Sequence, residues 1–164
     1  MTRKLQLSRR HFLICTSSSV VFHTSRVYGA DGLLNIHVVK NPQCGCCDAW
    51  IEILLEKGFS VTTENRSSDL LTKYKIESGI PNNMIACHTA KIDGYFIEGH
   101  VPPSDIKRLI AERPSALGLA VPGMPYGSPG MGPEEKRESY SVYIIKTDKT
   151  SEVFKHYPKP GLMV

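Results

Sequence analysis

The chain has 164 residues, room for one domain of ordinary size and too few for two. Its 41% hydrophobic content supports a single core without disulfide staples, and no stretch approaches the ~18 to 20 apolar residues of a membrane span. The net charge of +4 is uneven: five basic and no acidic residues fall in residues 1–30, leaving 15 basic against 16 acidic residues, a net of −1, in the body. A near-neutral body without a basic run gives no electrostatic footprint for nucleic acid.

Residues 1–30 form an address rather than a fold element. Arg3, Lys4, Arg9 and Arg10 make a basic start, and Ser8-Arg9-Arg10-His11-Phe12-Leu13 matches a twin-arginine export signal. The apolar stretch from Phe12 to Phe22 is diluted by Thr16, Ser17, Ser18 and Ser19, which suits the twin-arginine route. Cys15 follows the bulky Ile14 and lies too close to the arginines for a lipid-attachment site. The sequence therefore predicts a signal over 1–30, one domain over 31–164, and a periplasmic location. The twin-arginine route carries folded proteins, so folding can precede export.

The body begins with a β-branched run, Leu33 to Val39, that predicts a strand. Asn41-Pro42 breaks it, and the cysteines follow. From Asp48 to Lys57, Trp50, Ile51, Leu54 and Leu55 recur at helical spacing, with Gly58 as the stop. Phe59 to Thr63 predicts a second strand, and Ser67 or Ser68 caps a short helix to Tyr74, with Leu70 and Leu71 as its apolar side. Met84–Ile92 and Tyr95–Val101 predict a hairpin around Asp93-Gly94, a pair that tolerates the positive φ of a type I′ turn. Ser104 opens a helix with Ile106, Leu109 and Ile110 inward, ended by Pro114; 118–133 predicts a long Gly/Pro/Met loop; and a last hairpin spans Tyr140–Ile145 and Glu152–Tyr157. The order β-α-β-α-β-β-α, with the cysteines after the first strand and a proline before the third, predicts an α/β fold. It is a thioredoxin-like mixed sheet flanked by helices, with an added C-terminal hairpin. In that fold the loop after the first strand faces the segment before the third, so Cys44, Cys46 and Cys47 come near Pro81 and Cys87.

The chemistry concentrates in Cys44-Gly45-Cys46-Cys47. Cys44 and Cys47 form a C-x-x-C pair at a helix start, where the helix dipole favours thiolate. Three thiolates in four residues repel one another, and a soft cation resolves that by neutralising the charge and bridging the sulfurs. Copper(I) is the softest common candidate and zinc the borderline one. A redox dithiol and a structural disulfide are the alternatives. Gly45 is expected to let the backbone wrap closely. Cys87, beside His88, is a candidate fourth ligand. Met124 and Met131 sit in the Gly/Pro loop with thioethers suited to copper(I), although such a loop also folds methionines onto the core. Met84 and Trp50 are expected in the core, His37 in a structural role, and His100 either as a ligand or on the surface. No residue is assigned as catalytic.

These motifs resemble the CopG-type copper-resistance proteins, which are distinct from the DNA-binding repressors of the same name. The matching segments are Cys44-Gly45-Cys46-Cys47 with Trp50, Ala86-Cys87-His88-Thr89-Ala90, Asp93-Gly94-Tyr95, Glu98-Gly99-His100-Val101-Pro102, and Gly118 to Met131. The resemblance implies a periplasmic thioredoxin-like protein in which cysteine sulfurs bridge a cluster of several copper(I) ions. By position it implies Cys44, Cys46, Cys47 and Cys87 as ligands, with Met124 and His88 near the site. It also implies a role in copper resistance or copper redox handling, with metal ions and other periplasmic copper-handling proteins as partners. A thiol–disulfide oxidoreductase using Cys44 and Cys47, and a copper metallochaperone, are the alternative functions.

Overall fold

The computed structural model describes residues 33–161, so the expected export signal lies outside the described residues. The elements are β1 (Leu34–Lys40), α1 (Gly45–Glu56), β2 (Phe59–Asn65), α2 (Ser68–Glu77), a 3₁₀ turn (Asn82–Met84), β3 (His88–Ile92), β4 (Tyr95–Glu98), α3 (Pro103–Glu112), β5 (Ala116–Ala120), a second 3₁₀ turn (Glu134–Lys136), β6 (Tyr140–Lys146) and β7 (Ser151–Tyr157). The seven strands form one mixed sheet in the order β2-β1-β3-β4-β5-β6-β7. Its first four strands, with β1 and β2 parallel and β3 and β4 antiparallel, are the thioredoxin-like core expected from the sequence. The terminal hairpin joins the same sheet through β5.

Local sequence explains most of these elements. Ile36, Val38 and Val39 of β1 are buried, as a central strand requires. Trp50 and Leu54 of α1 turn inward at helical spacing, and the Trp50 indole Nε1–H donates to the Val101 carbonyl (2.9 Å), so its polar edge is satisfied inside the core. Asp93 (φ 52°) and Gly94 (φ 90°) both take the positive φ of the β3–β4 turn. Met84 packs in a small core cluster with Ile80, Ala120 and Ile145.

Several expectations need correction. Leu55 and Leu70 are exposed, one position out of phase with the buried faces of their helices. Helix α2 runs on to Glu77, and its second buried residue is Lys75. Helix α3 starts after Pro102 rather than at a Ser104 cap, since Pro103 supplies the φ of a first helical turn. The third strand begins at His88, because residues 82–84 first make a 3₁₀ turn. The loop expected from 118 instead opens with β5, which runs parallel to β4 after the α3 crossover.

Gly118 is what lets β5 lie against β4. A methyl group there would overlap the Phe96 backbone of the neighbouring strand. Gly118→Ala should therefore cost several kcal/mol, roughly 3 or more, because the clash is with backbone and not with a side chain that can swing away. Urea denaturation checks this, and a midpoint within error of the parent protein contradicts it.

Candidate metal centre

The chain leaves β1 through a turn fixed by Asn41. Its side-chain oxygen accepts from the Gln43 N–H (2.9 Å) and its carbonyl accepts from the Cys44 N–H (3.1 Å). Cys44 then occupies the N-cap position of α1, and its carbonyl accepts from the Cys47 and Asp48 N–H groups. Lys40, almost buried at the end of β1, reaches Asp48 in the first turn (2.8 Å) and ties strand to helix. Gly45 is not where the backbone is crowded, since a methyl there would meet nothing within 4 Å. The close approach is at Gly130, where a Cβ would lie 2.8 Å from the Trp50 nitrogen and 3.0 Å from the Cys46 carbonyl. The Gly/Pro loop thus presses directly on the first turn of α1.

On the other side, Cys87 precedes β3 and His88 is its first residue. The sulfurs of Cys44, Cys46, Cys47 and Cys87 all lie within 4.8 Å of one another. Sulfurs bound to one tetrahedral ion at about 2.3 Å stand roughly 3.8 Å apart, so the spread of these sulfurs is on the scale of a shared metal. Cys44 and Cys47 are joined here by a disulfide, while Cys46 and Cys87 are free thiols. Cys46 Sγ lies 3.5 Å from Cys44 Sγ. The same four sulfurs can serve a metal only after a reductant gives the disulfide two electrons, which frees Cys44 and Cys47 as thiolates.

A second group of donors meets at Cys87. His100 Nε2 lies 3.0 Å and His88 Nδ1 3.4 Å from its sulfur, and both imidazoles are fully buried. His100 Nδ1–H donates to the Pro129 carbonyl (2.7 Å), which leaves Nε2 with its lone pair toward the Cys87 thiol. The His88 ring packs against Trp50 at a tilt of 39°, with centroids 4.3 Å apart. Its Nε2 is the one buried side-chain nitrogen or oxygen among the described residues without a hydrogen-bond partner. The sequence allows His100 as ligand or surface residue, and the fold seats it against Cys87. His37, expected to be structural, lies in β1 half-exposed and bridges to Thr62 and Glu64 of the edge strand β2. Met124 is 56% exposed in the loop after β5, so that loop does not fold it onto the core.

Burial dominates the electrostatics. It pushes the Cys87 thiol up to about 12, helped by neighbouring Cys46 and opposed by the positive charge of Lys75. Burial also holds His88 well below its ordinary 6.5, with His100 and Lys75 adding to the effect, and it lowers His100 as well. In the metal-free protein the centre is therefore a neutral thiol between two neutral imidazoles.

The histidine shifts carry a sign. Below pH 6.5 the unfolded chain protonates these histidines while the folded one resists. Their contribution to stability is complete above about 6.5 and is lost as the pH falls toward the lower folded values. The urea midpoint of the metal-free protein should drop between about pH 7.5 and about pH 5, and drop less in His88→Gln. An identical drop in the variant rules out His88 as a source.

Residues 84–131 match the family model described as "Protein of unknown function, DUF411". No curated protein matches the chain. Two solved structures of a copper resistance protein CopG, Form 1 and Form 2, match it at 41% and 42% identity with TM-scores of 0.72 and 0.71. Each alignment covers 77% of this chain, and 99% and 100% of those chains. With the matched fold and this shared identity, the chain belongs to the CopG family of copper-resistance proteins.

Proposed function

We propose that the chain is an exported, periplasmic protein that holds copper(I) as cargo between the sulfurs of Cys44, Cys46, Cys47 and Cys87, several ions being bridged by thiolate. The observation that carries this reading is the convergence of four cysteine sulfurs within 4.8 Å. Soft thiolate donors select copper(I) over harder ions. Sulfurs this close bridge ions readily, because each thiolate has lone pairs for more than one metal. His88, with His100 beside it, supplies imidazole at the inner edge, and Met124 is the candidate thioether that the family resemblance implies.

Copper binding to Cys87 displaces a proton from a thiol whose pKa stands at about 12. Affinity should therefore rise with pH, and loading should release protons. Metal content and proton release of anaerobically reduced protein test this. Cys46→Ser and Cys47→Ser should each lose copper, and undiminished binding in both sinks the site.

The Cys44–Cys47 disulfide favours one other reading, a thiol–disulfide oxidoreductase. That activity requires turnover of disulfide substrates without metal and needs no thiol at position 46, so Cys46→Ser separates the two. The export half of the proposal rests on Arg9-Arg10. Arg9→Lys with Arg10→Lys keeps the charge but removes the pair, and precursor should then accumulate in the cytoplasm. Unchanged export in cell fractions argues for another route.

A further inference from the structure

Behind Cys87 lies an ion pair sealed from solvent. Lys75 on α2 is 2% exposed and Glu98 at the end of β4 is 0% exposed. Glu98 Oε1 accepts from Lys75 Nζ (2.5 Å) and from the backbone N–H of Ala86 (2.7 Å). Its Oε2 accepts from the Thr89 hydroxyl (2.6 Å), which in turn accepts from Lys75 Nζ (2.8 Å). The pair therefore grips the chain at residues 86 and 89, on either side of Cys87 and His88.

As a stabilising device such a pair achieves little. Each charge gives up its hydration, and well-packed apolar residues of similar volume are often as stable. Burial lowers the Lys75 pKa and raises that of Glu98, and each partially offsets the other's shift. Its geometric effect is larger. Cys87 stands one residue outside the β1–β3 ladder, whose last pair is Lys40 with His88. The Ala86 N–H bond to Glu98 thus ties down backbone that the sheet itself leaves loose. From the other end, Glu98 leads through Gly99 to His100, and the Gly99 N–H donates to the His88 carbonyl (3.0 Å).

We propose that Glu98, its charge balanced by Lys75, is a positioning residue for the copper site, whose hydrogen bonds with the Ala86 N–H and the Thr89 hydroxyl fix the Ala86–Thr89 segment so that the Cys87 sulfur completes the set begun by Cys44, Cys46 and Cys47. The inference rests on the reading of Cys87 as a copper ligand. Two double variants separate position from stability. Lys75→Met with Glu98→Leu removes the charges and also the acceptor for Ala86. Lys75→Met with Glu98→Gln removes the charges but keeps a carbonyl oxygen that can take the Ala86 N–H.

The copper(I) affinity of each reduced, full-length variant is measured by competition with a chelator, and its copper–sulfur number by X-ray absorption. The Leu variant should bind about tenfold or more weakly, within the range seen when groups that orient metal ligands are removed. Its sulfur number should fall toward that of Cys87→Ser, and the Gln variant should recover both. Wild-type affinity and sulfur number in the Leu variant overturn the proposal, as does a Gln variant no better than the Leu variant. Should the Leu variant not fold, Thr89→Val decides, because it cuts the tie at residue 89 while leaving the charges paired. Unchanged copper affinity there overturns the proposal, and weakened affinity with the urea midpoint preserved supports it. Cys87→Ser is run alongside. Wild-type binding in it defeats the ligand reading itself, whereas a loss in it with none in the Leu variant defeats the positioning role alone.

Discussion

The centre depends on one strand pairing. β1 and β3 run antiparallel with Lys40 opposite His88, so the chain leaving β1 and the chain entering β3 emerge side by side at one end of the sheet. Cys44 follows Lys40 by four residues and Cys87 precedes His88 by one. Adjacent strands stand about 4.8 Å apart, a spacing on the scale of a metal cluster. A slip of one residue in this register would turn every side chain of β3 to the opposite face. Both strands are buried on both faces where they pair, Val38 opposite Ala90 and Val39 opposite Thr89. The distance between sulfurs that are 40 residues apart in sequence is thus set by strand pairing in the middle of the sheet.

The same end of the sheet carries most of the polarity the interior has to tolerate. Lys40, Lys75, His88, Thr89, Glu98 and His100 are buried there, while Asp105 and Ser128 are the other buried polar residues among those described. Burying such groups costs free energy unless each finds a partner. Lys75, Thr89 and Glu98 partner one another, Lys40 reaches Asp48, and His100 is capped by Pro129. His88 Nε2 alone stays unsatisfied. A core built only for stability would fill this space with aliphatic side chains. The concentration of paired polar groups around Cys87 is what a site needs when its ligands must hold fixed positions.

Much of this was readable beforehand, for identifiable reasons. Cys44 to Cys47 announces itself because the thiols are adjacent in sequence, and Asp93-Gly94 because a two-residue turn has strict backbone demands. The thioredoxin-like order follows from hydrophobic periods long enough to be unambiguous. β5 was missed because Ala116-Leu117-Gly118-Leu119-Ala120 has no β-branched residue, and its strand character comes from pairing with β4 and β6. Lys75 sits between Tyr74 and Ile76 in a helix that also carries Lys73 and Glu77, where a lysine ordinarily faces water. Its burial is decided by Glu98, 23 residues away. His100 was ambiguous for the same reason, since its partners Cys87 and Pro129 are distant in sequence. Local pattern identifies the candidate ligands, while the groups packed around them depend on tertiary contacts.

Disulfide and metal compete for the same atoms. With Cys44 and Cys47 bonded to each other, the remaining donors are Cys46, Cys87 and the two imidazoles, half the sulfur of the reduced site. A ligand that binds the reduced form more tightly than the oxidised one pulls the equilibrium toward reduction by mass action. For a two-electron couple each tenfold difference in affinity shifts the potential by about 30 mV. On the proposed reading, copper(I) therefore protects its own site from oxidation in a compartment that favours disulfides. Loss of copper leaves Cys44 and Cys47 open to reoxidation to the disulfide by a two-electron acceptor of that compartment. The third thiol extends this logic. Cys46, 3.5 Å from Cys44, serves no purpose in a closed C-x-x-C disulfide. In the reduced state it adds a further sulfur donor, and a bound soft cation favours the thiolate form of every sulfur it touches. On the proposed reading, the thiol that a disulfide exchanger does not need is the one that completes a soft-metal site.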